Sequence, residues 1–336
     1  REGGRTSIVV RDNGSGMTRD ELLLAIQRHA TSKLPDDNLF NIKTMGFRGE
    51  ALPSIGAISR LKITSKHKQA EEAWEIRVEG GEVREVCPAV HPQHGTTIEV
   101  SDLFFATPAR LKFLKTASTE TSYIVDVVQR LSLAYPSVAF SLKDERRVIC
   151  DYKASEQEGL TCSLPRLIHI MGKDFGENAV PVEAEHESYK LTGYMSLATL
   201  NRASPSYQFL CVNGRPVKDK IFSAAIRVAY QDLLARDRHP MGALFLEVSS
   251  LYVDMNVHPA KTEVRFRDAN KVRGFLIGAM KAALQAAGHR ASTTVSQQAL
   301  GVMLPKAGPF TKASFPNPFK TSYQPSLKVQ SLDLRE

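Results

Sequence analysis

RDNGSGM, residues 11–17, ends an apolar strand on an acid and follows it at once with two closely spaced glycines. Thr6 to Val10 before it read as a short strand. TRDELLLAIQRHA after it, residues 18–30, reads as a helix opened by a T-x-x-E capping box of Thr18 and Glu21. Asp12 therefore stands at the end of a strand, on a turn that opens toward a helix. That placement suits a turn or cap residue, and it equally suits a carboxylate held out toward a ligand.

The rest of the chain bounds what the ligand is. At 336 residues it exceeds what one core ordinarily serves, and two domains are the expectation. No apolar run approaches the roughly 18 residues of a membrane span, and no signal peptide is evident. Cys87, Cys150, Cys162 and Cys211 lie far apart without a C-x-x-C pair. Zinc and a disulfide framework are thereby disfavoured, and reduced cytosolic thiols fit. A net charge of +8 permits a polyanion such as nucleic acid without demanding one. The sequence begins at Arg1, already running into a strand, and reads as a fragment.

Outward from the opening motif, residues 31–56 (TSKLPDDNLFNIKTMGFRGEALPSIG) are long and irregular for a connection, and loops of that length are usually functional or disordered. RLKITS, AWEIRVE and EVREV read as strands, the last two turning at Gly80-Gly81, and HGTTIEVSDLF as another. A helical period runs through Ile124, Val127, Val128 and Leu131, and SLKDERRVICDY reads as a hairpin. The polar ASEQEGLTCS near 155–165 is a candidate boundary. Beyond it come helix PRLIHIMG, strands YKLTGYMS and QFLCVNGRPV, helix KIFSAAIRVAYQDLL, strand ALFLEVS and a last helix, NKVRGFLIGAMKAALQAAG. The expectation is two α+β domains, 1–155 and 156–289, and a disordered linker over 290–336.

Phosphate-binding patterns narrow the chemistry. No G-x-x-x-x-G-K-[ST] occurs, which excludes a P-loop, and Arg19 stands where a dinucleotide fingerprint would carry its third glycine. GFRGEAL, Gly46 to Leu52, has two glycines whose backbone N–H groups can approach phosphate oxygens, with Arg48 adding charge. It suits an ordinary loop with a helix start at Glu50 as well. HATSK, His29 to Lys33, offers hydroxyls and a lysine, or a frayed helix end. Thr96 fits a strand simply as a β-former. Lys261 reads on its own as a surface charge, His258 as a packing histidine, and HPQH (91–94) as a turn.

Taken in order, DNGSGM, HATSK, GFRGEAL and HGTTIEVSDLFFATPAR resemble the GHKL ATPase family, which spans gyrase, Hsp90, histidine kinases and MutL. GFRGEAL, DLFFATPARLKFL, VNGRPV and DMNVHPAKTEVRF are similar to the MutL-type DNA mismatch repair proteins in particular, over about residues 1 to 288. The resemblance implies a truncated GHKL (Bergerat-type) ATP-binding α/β sandwich, then a ribosomal-protein-S5-like transducer domain and the linker. It implies that Asp12 accepts a hydrogen bond from the adenine amino group, a donor where guanine has an acceptor. Gly14 and Gly16 would give the nucleotide room beside Met17, and Thr96 would help through a shared water network. Residues 29–52 would form an ATP lid, with Thr31, Ser32, Lys33, Gly46, Phe47, Arg48, Gly49, Glu50, Ala51 and Leu52 at the nucleotide. Lys261 would reach the γ-phosphate as the catalytic cation.

The implied cofactors are ATP and Mg2+. The implied partners are a second copy in an ATP-gated homodimer of the full-length protein, a MutS-type mismatch sensor, a downstream endonuclease or helicase, and DNA held by its backbone rather than its sequence. The implied setting is the bacterial cytoplasm, in association with the nucleoid. Two departures stand out. Ala106 occupies a position where many relatives carry Asn. The general-base Glu and the Mg2+-holding Asn of the family precede the DNG motif, so neither role is assigned here and no metal ligand is expected within the chain. Another GHKL ATPase of gyrase or chaperone type, a nucleotide-gated binding module without catalysis, and a basic α+β binding protein are the alternatives. The chain as given is expected not to turn over ATP; phosphate release that Lys261→Ala abolishes would overturn that expectation.

Overall fold

Alternation of apolar and polar residues decides which face three strands of the first sheet bury, those over 60–66, 73–79 and 95–101, whereas Ile8, Val9 and Val10 of the edge strand are exposed. β1 (Ser7–Asp12), β2 (Arg60–Lys66), β3 (Ala73–Glu79) and β6 (Gly95–Ser101) pair antiparallel in the order β1-β6-β2-β3, and the short β4 (Glu82–Val83) and β5 (Cys87–Ala89) both pair with β3. Val100 of β6 stands opposite both Ile8 and Leu61, and Ile98 opposite both Val10 and Ile63. α1 (Arg19–Ala25) and α2 (Ala51–Gly56) cover this face, their Leu22, Leu52 and Ile55 joining Leu61, Ile63, Ile76 and Val78 in one core. The opposite face is polar: Lys62 pairs with Glu99 at 2.9 Å, and Arg11 donates to the Thr97 hydroxyl at 3.3 Å.

The computed structural model describes residues 1–28, 30, 49–155, 164–255 and 263–303, the stretch 289–303 as backbone only. Arg1–Gly288 form one compact unit and His289–Glu336 a second. α1 begins where the capping box places it. Thr18 Oγ1 accepts the Glu21 N–H, and the Glu21 carboxylate accepts the Thr18 N–H at 2.8 Å. That backbone hydrogen bond, with the one from the Thr18 hydroxyl, holds the Glu21 carboxyl below the usual range.

α3 (Ala117–Ala134) and the hairpin of β7 (Phe140–Lys143) and β8 (Val148–Tyr152) lead into α4 (Leu164–Met171) and α5 (Lys173–Glu177). The second sheet runs β13 (Arg215–Val217), β12 (Gln208–Val212), β15 (Gly242–Val248), β10 (Tyr189–Ser196), β9 (Ala179–His186). α6 (Lys220–Ala229) lies in the connection between the parallel strands β12 and β15. Two-residue ladders join β11 (Asn201–Arg202) to β14 (His239–Pro240), and β16 (Val253–Asp254) to β17 (Arg265–Phe266). α6 and α7 (Ala269–Met303) pack on one face through Phe222, Ile226, Val272 and Leu276. The other face, Phe209, Cys211, Ala243 and Phe245, is covered by Leu133 and Ala134 of α3, Leu167 of α4 and Phe175 of α5. Burial on both sides is why QFLCV is apolar nearly throughout instead of alternating.

Arg166 seals that junction. Its buried guanidinium donates to the carbonyls of Ser132 at 2.8 Å and Pro136 at 3.0 Å, and also to those of Val138 and Lys153. A cation at the carbonyl end of a helix is electrostatically favoured, and burial lowers its affinity for its proton.

Several elements differ from the sequence expectation. α1 ends at Ala25 rather than near Ala30. EVREV contributes only Glu82–Val83. QFLCVNGRPV, read as one strand, is a hairpin, because Asn213 and Gly214 both take positive φ (48° and 74°) and turn the chain. β9 was not read at all: Pro181 argues against a strand, yet β9 is an edge strand and pairs only with β10, where proline is tolerated. α7 runs on to Met303, so residues 290–303, read as linker, are helical; residues 304–336 of that expected linker lie outside the described residues.

An ion cluster ties α3 to the segment after β13. Asp126 accepts from Arg130 Nε at 2.9 Å and Lys218 Nζ at 2.8 Å. Burial pushes its carboxyl up, but the two cationic hydrogen bonds outweigh burial and it titrates below the usual range. A depressed carboxyl contributes stability that is present above its unfolded pKa of about 3.9 and lost as pH falls through the folded value. Asp126→Asn is therefore expected to cost about 1 kcal/mol at pH 7 in urea unfolding, with the difference from wild type shrinking below about pH 4. A pH-independent difference would contradict the pairing.

Candidate functional site

Where the apolar face of the first sheet ends, three strands turn polar in the same row. Asp12 stands opposite Thr96, Thr96 opposite Ser65, and Ser65 opposite Trp74 on β3. Directly opposed residues share a face and lie within side-chain contact distance. The alternation Ile8, Val10, Asp12 is matched by Val100, Ile98, Thr96 and by Leu61, Ile63, Ser65. The row thus continues the core face to its open end.

Ser65 is fully buried and Thr96 nearly so, whereas Asp12 is exposed. Ser65 Oγ accepts the Met17 N–H at 2.8 Å, donates toward the Gly95 carbonyl at 3.1 Å and lies 2.9 Å from Thr96 Oγ1. Asp12 Oδ1 accepts the Gly14 N–H at 2.9 Å. This is the turn-forming bond that the bland reading of DNG expects, and it occupies one carboxylate oxygen only. The other has no partner among the described residues.

The turn is strapped down on both sides. His94 Nδ1 donates to the Gly14 carbonyl at 2.9 Å, and the Lys68 N–H to the Ser15 carbonyl at 2.7 Å. Two glycines make the approach possible. Gly16 has φ +69°, and a Cβ there would sit 1.9 Å from the Lys66 carbonyl oxygen. Gly95 has φ +124°, and a Cβ there would sit 2.2 Å from the Asp12 carbonyl oxygen. Backbone is therefore in contact with backbone at two points of the motif, and Asp12 itself is exposed.

Of the residues expected at a nucleotide, Asp12, Gly14, Gly16, Met17 and Thr96 are gathered here. Gly49 lies against the Ala30 backbone, and Glu50 precedes α2, which starts at Ala51. Leu52, like Met17, is partly buried and packs against the core of the first sheet. Thr31, Ser32, Lys33, Gly46, Phe47, Arg48 and Lys261 lie outside the described residues, as do His29, His258 and most of the expected lid. In HPQH, His91 is buried and bonded to the Gln93 carbonyl and the Thr97 hydroxyl. Among the described residues no three His, Cys, Asp or Glu side chains gather to hold a metal. Burial pushes the Cys211 thiol up to about 12, which leaves it an inert core residue.

Sequence reasoning missed Ser65 and His94. The signal for Ser65 was a hydroxyl at the apolar phase of RLKITSK. It has meaning only once the register sets it beside Thr96. A cavity of about 520 Å3 lies elsewhere, between Glu2–Gly3, α3 and the β7–β8 turn. The hydroxyls of Thr121 and Ser122 on its wall are turned back onto the carbonyls of their own helix, at 2.8 and 3.0 Å.

The family model described as "DNA mismatch repair protein, C-terminal domain" matches residues 167–285, the second sheet with its helices. A protein of Paramagnetospirillum magneticum named DNA mismatch repair protein MutL is 54% identical over 302 residues, covering 90% of this chain and 50% of that protein. Over that stretch the chain is similar to MutL proteins. It spans about half the length of the curated relatives it matches. Among solved structures, the N-terminal domain of a DNA repair protein is similar with TM-score 0.68 and 21% identity, over 85% of this chain and 87% of that one. The MutL ATPase domain of Aquifex aeolicus, solved with ADP, is similar with TM-score 0.55 and 24% identity, over 81% and 85%. The mixed α+β fold is thus that of MutL ATPase domains.

The backbone contacts of the motif make a direct prediction. Gly16→Ala should destabilise the MutL-type fold by at least about 1–2 kcal/mol, the cost of a left-handed conformation alone, with the clash added. Gly278→Ala on α7, which meets open space, should stabilise by about 0.5–1 kcal/mol. Thermal unfolding of the two variants checks both signs.

Proposed function

We propose that the Asp12–Thr96–Ser65 row is the base-recognition end of an adenine-nucleotide site, and that the full-length protein acts in DNA mismatch repair. The observation that carries this reading is the exposed Asp12 carboxylate in a glycine turn, with one oxygen bonded to Gly14 and the other without a partner among the described residues. That second oxygen is an acceptor held in place by the first oxygen's bond to Gly14. Adenine presents an amino donor where guanine presents a keto acceptor, so a fixed acceptor selects adenine. The strap from His94 and the Lys68 N–H keeps the turn from drifting as the base arrives. Gly14 and Gly16 keep side chains out of the nucleotide's path.

Bound ATP would supply the phosphoryl group whose loss resets the protein. In this reading the segment 29–52 closes over the phosphates, and Lys261 brings the second domain to the γ-phosphate, so that ATP and ADP are told apart. Domains 1–155 and 156–289 then move as an ATP-reading part and a transducing part. α3 belongs to both, since Leu133 and Ala134 pack into the second sheet's core. ATP-dependent pairing of two copies, DNA held through its phosphates, and relay from a MutS-type mismatch sensor to strand incision complete the proposal. The whole would work in the bacterial cytoplasm. Identity of 54% to a MutL protein supports it.

The test is nucleotide titration. A hydrogen bond to a charged group contributes about 1.5–3 kcal/mol, so Asp12→Asn should weaken binding of an ATP analogue about ten- to a hundredfold. A folded variant with wild-type affinity would remove Asp12 from the site.

A further inference from the structure

Ser65 is the most buried polar side chain of the site, and the reading above places it in the row without giving its hydroxyl a task. Its hydroxyl carries one proton and two lone pairs, and it has three neighbours. The Met17 N–H can only donate, and the Gly95 carbonyl can only accept. Thr96 Oγ1, 2.9 Å away, can do either. Every capacity is used in one arrangement only. Ser65 donates to Gly95, accepts from Met17, and accepts from Thr96. With Ser65 at 0% and Thr96 at 6% exposure, water is not at hand to complete any other arrangement, and an unmade bond at such depth is costly.

We propose that Ser65 is a specificity-setting positioning residue. By drawing the Thr96 proton inward, it leaves Thr96 presenting only lone pairs beside the Asp12 carboxylate. The end of the row then offers two acceptors and no donor. That pairing favours a purine with an amino group at position 6, and water bridged to it, over a purine with a keto oxygen there. The inference rests on the adenine-nucleotide reading of the same row. It adds that base selection is enforced from the buried side by a residue that never touches the base.

Removing Ser65 frees the Thr96 proton to turn outward and donate to a keto oxygen. ATP and ITP differ at this position, amino against keto. Titration of both against wild type, Ser65→Ala, Thr96→Val and the double variant tests the idea. The expected result is an ATP-over-ITP preference in wild type that narrows about three- to tenfold in Ser65→Ala. In the Thr96→Val background Ser65→Ala should leave the preference unchanged, because the effect travels through Thr96. A general loss of structure would weaken both nucleotides alike and leave the ratio where it was.

Should Ser65→Ala not fold, Ser65→Cys keeps the volume with a much weaker hydrogen-bonding group and should show the same narrowing. An unchanged ratio in a folded variant, or a change that persists undiminished without the Thr96 hydroxyl, overturns the proposal. Loss of fold in both Ser65 variants overturns it too, by making Ser65 a stability determinant. If wild type binds neither nucleotide, the adenine reading itself falls and takes this inference with it; that result is distinct from binding with an unaltered ratio.

Discussion

The register of β6 between β1 and β2 is the constraint on which the site depends. β6 is paired on both edges, and the same pairing that sets Val100 and Ile98 against the core sets Thr96 between Asp12 and Ser65. A slip of one residue would turn every side chain to the other face. Val100 and Ile98 of β6 would leave the core, and Asp12 would lose its hydroxyl neighbours. Core packing and site geometry are therefore one event in the first sheet. The hydrophobic contacts of Leu22 with Ile63 and Ile76 hold the row in place, although none of those residues approaches it as a polar partner.

The second sheet is organised by a different rule. It is covered on both faces, by α6 and α7 on one side and by α3, α4 and α5 on the other. One of those five helices, α3, comes from the first part of the chain. The C-terminal turn of α3 is buried in the second core, while its N-terminal end lies against Gly3. Arg166 bonding the Ser132 carbonyl in the last turn of α3, and Lys218 bonding Asp126, fasten the helix from the other side. α3 is thus held at both ends by different parts of the fold.

Much of this was open to reading in the sequence. The capping box of Thr18 and Glu21, the strand spans of RLKITS, AWEIRVE and YKLTGYMS, the Gly80-Gly81 turn and the helical period of α3 are local signals, and they recur in the structure. The failures differ in kind. Pro181 hides a strand because strand rules assume two partners, and β9 has one. QFLCVNGRPV carries its turn openly in Asn213-Gly214, the dipeptide that favours positive φ at both central positions of a two-residue hairpin, so reading it as one strand overlooked a local signal. Residues 290–303 carry no amphipathic period, and the helix continues through them.

The sequence by itself determined the turn chemistry of DNGSGM, the faces of the strands and the mixed α+β class, because each follows from neighbours within a few positions. The tertiary structure alone decided that Ser65 and Thr96 share a hydrogen bond, that His94 straps the Asp12 turn, and that α3 serves the second core. Those contacts join residues 31, 80 and 78 positions apart, as in Ser65 to Thr96, His94 to Gly14 and Arg130 to Gln208. A side-chain period of two tells which face a residue occupies, but not which residue of another strand it will meet. Only pairing the strands supplies that, and with it the site.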